Sequence, residues 1–391
     1  AFVLLIGAGL LLASFRHLLG VDPGFTAEHV LTGRVAPLPA RYPDEAALRS
    51  YTGRALERIR ALPGVEAAGA TSFLPFSWDG GSSVIIAEGY VPSPGESVVS
   101  PSQLYITPGY LEALRVRLKE GRFFAEGDTA GAPGVVIIDE RLAQRFWPNA
   151  SPIGRRMYLP DTADDVVKPG PKVTWLQVVG VVATVKLKGL EEGENARVGA
   201  YYLAYAQDPA RGIGLAIRSL VNTSDGPSIK AAVERVLADL DPEVQLFDSF
   251  AMSERIDRSL DSRRAPMLLL VGFGAVALLL ASLGIYGVLA YQVSQRTREI
   301  GIRMALGSDA GGILRLVLRE AVALVLVGLA CGMTGAVALR GVIASQLFGV
   351  GALDAQVIIA ATILLAVAAL FSCFGPARRA SRVDPIVALQ G

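Results

Sequence analysis

Residues 291–320 read YQVSQRTREIGIRMALGSDAGGILRLVLRE, a basic segment strung between two uncharged apolar stretches. The stretch before it, 267–291, has 25 residues and no charge; the one after it, 321–339, has 19 and is closed by Glu320 and Arg340. A third run, 355–375, has 21 residues, with Gln356 its only strongly polar side chain. At about 1.5 Å per residue each covers roughly 30 Å of hydrocarbon, so each is expected to span a membrane as a helix. The chain of 391 residues is 52% hydrophobic with a mean hydropathy of +0.44, and the apolar excess is concentrated in these runs. That composition is unlike a water-soluble globular protein. A fourth run, 1–15, is about 22 Å long as a helix. It lacks the basic start and small-residue cleavage site of a signal peptide, and no Met precedes it. It reads as the outer part of a membrane helix whose beginning is missing, so the chain is expected to be a piece of a longer protein.

Arg296, Arg298, Arg303, Arg315 and Arg319 cluster between the second and third spans, and Arg378, Arg379 and Arg382 follow the last. Short Arg-rich loops stay on the cytoplasmic side. With four spans, both ends are then cytoplasmic, and the stretch between Arg16 and Arg264 lies outside. Arg16, Arg263 and Arg264 flank that outer face against the trend, a tension that a large translocated domain tolerates. The net charge of +1 gives no footprint for nucleic acid. Cys331 and Cys373 fall inside predicted spans and read as small packing residues, with no disulfide or zinc spacing. His17 and His29 are isolated.

The outer segment alternates like a globular domain. Val30–Val35 reads as a strand, 44–62 as a helix with Ala47, Tyr51, Ala55, Ile59 and Leu62 on one face, and Val65–Thr71 as a second strand. The order returns near the far end: 214–220 as a strand, Pro227–Leu240 as a helix, the Asp241-Pro242 turn, then 244–247 as a strand. The two βαβ-like units are expected to pair into one split sheet covered by helices. Between them, about 100–208 reads as a β-rich insertion, with strands at 135–138 and 176–186, a short helix at Glu140–Phe146, and turn-rich loops at 127–133 and 160–171.

Catalytic motifs are missing from the sequence. The phosphate-binding pattern G-x-x-x-x-G-K-[ST] needs a Gly-Lys step that does not occur here, and H-E-x-x-H, G-x-S-x-G and C-x-x-C do not occur either. Asp161, Asp164 and Asp165 read as a solvated loop ahead of a cation site. The basic segment does carry a mechanism. Glu299 and Arg303 stand four apart with the acid first, the favourable helical order. Thr297, Ile300 and Met304 share a face beside Arg296 and Arg298. Gly307-Ser308 ends that element, and Asp309 can cap the helix that continues into the third span. The result is a short amphipathic helix tied to two membrane helices. The residues leave two readings open, a surface on which a cytoplasmic partner pushes and an anchor in anionic lipid.

QRTREIGIRMALGS resembles the E-x-x-R-E-I-G-I-x-R-A-L-G-A signature of permeases in the MacB/FtsX/LolC family of ABC transporters. Arg298, Glu299, Ile300, Gly301, Ile302, Arg303, Ala305, Leu306 and Gly307 match; Gln295 stands where an acid is common, Met304 is a spacer, and Ser308 replaces the last small residue. PARRASRVDPIVALQG is similar to the family's C-terminal motif at Pro376, Ala377, Ala380, Pro385, Ala388 and Leu389, and NASPIGRRM with WLQVVGVVATVK resembles its outer-domain segments. The opening FVLLIGAGLLLASFRHLLGVDPGF is most similar to the second half of the duplicated (ADOP-type) permeases of acidobacteria.

The resemblance implies a membrane protein with an α-helical four-span region, its first span truncated, plus a large α+β extracytoplasmic domain of two lobes. One lobe is a porter-like split βαβ and the other a β-rich insertion. The implied boundaries are 1–19 for the truncated first helix, 20–262 for a MacB-like periplasmic domain with its insertion at about 100–208, and 263–391 for an FtsX-like permease domain. Within the last, spans are implied at about 267–291, 314–340 and 355–375, with a cytoplasmic coupling loop at 292–310. Arg296, Arg298, Glu299, Ile300, Gly301, Arg303, Met304, Ala305, Leu306 and Gly307 would meet a separate ABC-type ATPase. That partner binds the ATP, so no cofactor and no catalysis are expected of this chain. The implied location is the bacterial inner membrane, with the C-terminus cytoplasmic. Implied partners are membrane lipid, a second permease half or a second copy, and a periplasmic adaptor or cargo.

The function implied is mechanical transmission for export or release of a drug, peptide or lipoprotein. The alternative is a membrane-anchored regulator or scaffold that recruits an extracytoplasmic cell-wall enzyme. A proton-driven carrier is disfavoured, because the uncharged runs hold no ionisable acid or base. Glycines in the spans, including the Gly328–Gly332 spacing, suit close helix packing or dimerisation.

Overall fold

The computed structural model describes residues 1–77, 80–90, 98–162, 164–166, 169–191, 199–220, 227–296, 310–341, 347–351 and 353–380. The chain divides into two compact units, Asp22–Leu260 and a second made of Ala1–Val21 with Asp261–Gly391. Helix α1 (Phe2–Leu19) opens the second unit, and the chain then enters the first.

In the first unit, β1 (Val30–Val35) leads to α2 (Glu45–Arg60) and β2 (Val65–Thr71). Asp44 starts α2 by accepting the Ala47 N–H at 2.8 Å, one of the donors a helix start leaves unpaired. Leu48, Tyr51, Thr52, Ala55, Leu56 and Ile59 recur at helical spacing and are all buried. Between β2 and the far end of this unit come β3 (Ile86–Ala87), β4 (Ser102–Ile106), α3 (Tyr110–Ala113), β5 (Leu118–Gly121), β6 (Val135–Asp139), α4 (Glu140–Phe146), β7 (Arg156–Leu159), β8 (Thr174–Val182) and β9 (Ala200–Ala204). The unit closes with β10 (Ile213–Ser219), α5 (Pro227–Leu240), β11 (Phe247–Ala251) and α6 (Met252–Ser259).

The strands from the two ends interleave in the order β11-β1-β10-β2, with β10 antiparallel to both β1 and β2, and β11 antiparallel to β1. This is a split β-α-β sheet. Helices α2 and α5 share one core on it, where Tyr51, Ile59, Val233 and Leu237 are at most 1% exposed. Burying each such side chain is worth about 1.5–3 kcal/mol. On the sheet, Gly69 lets α3 approach, since a Cβ there would stand 2.3 Å from the Tyr110 nitrogen. Buried Arg218 of β10 donates to the carbonyls of Ala113 at 2.7 Å, Glu28 at 2.9 Å and Thr26 at 2.7 Å, tying the end of α3 and the segment before β1 to the strand.

The sheet continues as β4-β9-β6-β8-β7-β3, and β5 pairs with β8. The join is narrow, with Thr71↔Ile106 the one registered pair between β2 and β4. The Ser72 N–H to Tyr105 O bond at 2.8 Å and the Thr107 N–H to Ala70 O bond at 2.9 Å support it. Strands β6 and β9 are buried at every position, as apolar runs covered on both faces must be. Leu142 and Phe146 of α4 pack on Val136, Ile138, Val178 and Tyr201 to make a second core.

Several boundaries differ from the reading of the sequence. The last strand starts at Phe247 rather than covering 244–247. The Asp241 turn takes up the preceding residues: Glu243 N–H binds the Asp241 carboxylate at 3.1 Å, Val244 N–H binds Asp241 O at 3.0 Å, and Val244 drops into the α2–α5 core. Strand β8 ends at Val182, not 186, because Ala183 and Lys186 leave the ladder to bond Arg117 O and Pro23 O, each at 2.9 Å. The β-rich half also takes in β3, which precedes residue 100 and pairs with β7.

The second unit gathers α1, α7 (Asp261–Gln295), α8 (Ala310–Ala338) and α9 (Ala355–Ala380). Phe2, Ile6 and Leu10 of α1 pack against Ala336, Ala361 and Leu365. Ser14 fastens the turn before α9, donating to Phe348 O at 3.1 Å and accepting its N–H at 2.8 Å. Among the described residues three helices are long and apolar enough to cross a membrane, α1, α7 and Ala355–Gly375 of α9, and α8 contributes a shorter apolar stretch, Val322–Ala338. Within the most apolar window of α7 only 6% is buried by the rest of the chain, so its large side chains require lipid or another protein around them. At 35 residues α7 outruns the hydrocarbon, leaving Asp261, Arg263 and Arg264 at one end and Gln295 at the other.

Candidate functional site

The candidate site lies where α7 gives way to α8. The last turn of α7 is held by Ser294 Oγ donating to Tyr291 O and by Gln295 Nε2 donating to Tyr291 OH, both at 2.8 Å. Arg296 follows, exposed, with its backbone N–H on Gln292 O at 3.1 Å. The other expected coupling residues, Arg298, Glu299, Ile300, Gly301, Arg303, Met304, Ala305, Leu306 and Gly307, lie outside the described residues. So do Pro385, Ala388 and Leu389 of the C-terminal motif. The chain resumes at Ala310 in α8, where Arg315 and Arg319 are both exposed and share a helix face. Cationic side chains therefore stand on both ends of the loop.

The polar clusters of the first unit are ones that the sequence reading did not find or read differently. Asp165 does not lie open as a solvated loop residue. Its carboxylate turns inward and accepts from Thr162 N–H at 2.7 Å, Thr162 Oγ1 at 2.9 Å, Gly170 N–H at 2.8 Å and Asp161 N–H at 3.1 Å. Those donors, the Thr162 hydroxyl first, hold it below the usual carboxylate range. Among the described residues no group of three His, Cys, Asp or Glu side chains is placed to hold a metal ion. Asp241, buried beyond the end of α5, accepts from Tyr42 OH at 3.0 Å and pairs with Arg41. Asp128 binds Arg122 through both oxygens at 2.8 and 2.9 Å, and Arg122 holds it below the usual range. Asp139 ends β6, caps α4 through the Leu142 N–H at 2.9 Å, and is fully buried. These acids order backbone, and no pair of them converges on an open cleft as acid and base would. An Asp just before a helix or beside a Pro is the only trace of them in the linear sequence.

Long apolar helices, a basic loop joining two of them, and an α+β unit inserted between the first and second define a membrane permease with an extracytoplasmic domain. The chain belongs to the MacB/FtsX-like permease family of ABC transporters: residues 4–238 match the MacB-like periplasmic core domain and 271–385 the FtsX-like permease C-terminal domain. It is 30% identical over 287 residues to the pyoverdine export ATP-binding/permease protein PvdT of Pseudomonas entomophila (strain L48), covering 69% of this chain and 40% of that protein. To PvdT of Pseudomonas aeruginosa PAO1 it is 27% identical over 292 residues, covering 71% and 40%. The chain thus spans about two fifths of the length of these curated relatives. Among solved structures, the periplasmic region of MacB from Actinobacillus actinomycetemcomitans aligns with 63% of this chain and 98% of its own, at 15% identity and a TM-score of 0.38.

Proposed function

We propose that this chain is the non-catalytic permease part of an ABC transporter, passing ATP-driven movement from a partner ATPase to its own periplasmic domain for export or release of a drug, peptide or lipoprotein. The observation that carries this reading is α7. One uninterrupted helix begins at Asp261, the residue after the extracytoplasmic unit ends, and runs to Gln295 at the basic loop. Past Pro266 in its second turn the helix holds no further proline, and an element of that length ending at the loop suits the transfer of force across a bilayer.

In this reading the chain has four spans with both ends cytoplasmic, and the outer sheet works as two lobes joined at the narrow β2–β4 seam. The ABC-type ATPase, on a separate chain, docks on residues 292–310. Arg296, Arg298 and Arg303 supply charge, Glu299 pairs with Arg303 to stiffen the helix, and Ile300 and Met304 supply an apolar face. ATP is bound by that partner. A second copy or a second permease half completes the membrane unit, lipid surrounds it, and a periplasmic adaptor or cargo meets the outer domain.

Tagged chain purified from its native membranes should bring down an ATPase, read as ATP turnover in the eluate. Replacing Glu299 and Arg303 together by Ala should lower that turnover at least about fivefold, the loss of roughly 1 kcal/mol of binding. The tryptophan emission of the outer unit should stay native. Unchanged turnover in the double variant would remove the docking assignment.

A further inference from the structure

Trp147, which ends α4, and Trp175, in β8, line one cavity of about 480 Å³ in the extracytoplasmic unit. Both indoles are half-buried, and both have a guanidinium over the ring. Arg155 stands 5.9 Å from the Trp147 centroid and Arg156 4.6 Å from that of Trp175. Gln177 and Glu88 line the same cavity. None of these residues belongs to the coupling loop, and the proposed transport mechanism uses none of them.

The two arginines differ in what is left for a ligand. Arg156 is committed to Glu88, with Nε on one carboxylate oxygen at 2.9 Å and a terminal nitrogen on the other. Arg155 spends only its Nε, which donates to Ser151 O at 3.0 Å. Among the described residues no carboxylate pairs with its two terminal amino groups. The lining therefore carries one uncompensated positive charge, on a planar fork whose remaining N–H groups suit a carboxylate bound through two oxygens. Beside that fork lie two indoles, whose rings stack with aromatic partners. The volume is in the range of small-molecule sites, roughly 300–1,000 Å³. A neutral sugar fits less well, because a neutral ligand would desolvate Arg155 without pairing it.

We infer that this cavity binds an anionic aromatic compound, its carboxylate held by Arg155 and its ring against Trp147 and Trp175. A free aromatic acid and the C-terminal residue of a peptide share that chemistry. The test titrates the full chain in detergent and follows tryptophan emission, since Trp147 and Trp175 are two of only three tryptophans. N-acetylphenylalanine at neutral pH should change the emission saturably. Its amide, which keeps the ring and loses the charge, and N-acetylalanine, which keeps the charge and loses the ring, should each bind at least about tenfold more weakly. Arg155→Gln should weaken the acid by a similar factor, and Arg155→Lys by less, because it keeps the charge and loses the fork. Tighter binding of Ala-Ala-Ala-Phe than of N-acetylphenylalanine assigns the site to peptide termini; equal or weaker binding assigns it to free acids. Equal binding of acid and amide, an unchanged affinity in Arg155→Gln, a preference for chitotriose, or no saturable response to any probe up to about 10 mM would overturn the proposal.

Discussion

Asp139 shows how one residue couples this fold to pH. Burial pushes its carboxyl from 3.8 up to about 6, against the opposing pull of the Leu142 and Ala200 N–H groups and the Arg141 charge, with the neighbouring Glu140 adding to the rise. Its Oδ2 has no hydrogen-bond partner among the described residues. Because the folded-state pKa lies above the unfolded value, the stability from this group is full below about pH 4 and is lost as pH rises through about 6. The span of the shift corresponds to roughly 3 kcal/mol. Asp139→Asn keeps an N-cap for α4 and removes the titration. The variant should therefore gain on the wild type as pH goes from 4 to 7, seen in urea midpoints followed by tryptophan emission. Parallel pH profiles for the two proteins would show that Asp139 does not titrate in this way. The acids Asp128, Asp165 and Asp241 are shifted downward and contribute the opposite slope, so the difference between variant and wild type is the quantity to read.

Between elements, glycine spacing alone did not separate a packing face from an open one. In the sequence Gly328 and Gly332 are equivalent members of a small-residue spacing. In the structure a Cβ on Gly332 would meet Phe2 of α1 at 2.7 Å, whereas one on Gly328 meets nothing within 4 Å. Gly332→Leu should thus force α1 from α8 and cost about 1–3 kcal/mol, lowering the thermal midpoint in detergent. Gly328→Leu should leave that midpoint unchanged; the reverse order would mean the helices pack on the other face. Strands show the same limit. Val30–Val35 and Val65–Thr71 were readable from alternation and turn residues, and Asp44–Ala47 marked the start of α2. The start of β11 was not, because Arg255 holds it from outside the strand, binding Asp248 through Oδ2 at 2.9 Å and its carbonyl at 2.7 Å.

Across the whole molecule, the charge pattern and the apolar helices make a claim about sidedness. After Cys331 and Cys373 are replaced by Ala, a cysteine at position 296 should react with a membrane-impermeant maleimide only once the membrane is opened. One at exposed Lys188, in the outer unit, should react in intact spheroplasts. Labelling of both from the same side would end the orientation drawn from Arg296, Arg315 and Arg319. The candidate coupling site rests on a local run of residues between two apolar helices, and all of it but Arg296 lies outside the described residues. The Trp147–Trp175 cavity was the least legible, since only the packing of α4 on the sheet brings its two tryptophans to one place.

The sequence by itself determined the long apolar helices, the sign of the charge on the segment 291–320, the buried face of α2 and most turns. Each of these follows from neighbours within a few residues: hydrocarbon demands an unbroken apolar run, and amphipathic periods and Asp or Pro signals act over single turns. Only the tertiary structure decided the order β11-β1-β10-β2, the narrow seam at Thr71 and Ile106, the burial of Arg218 and Asp139, and the meeting of two Arg–Trp pairs in one cavity. These depend on contacts between residues tens to hundreds of positions apart, whose desolvation and packing energies leave no periodic mark along the chain.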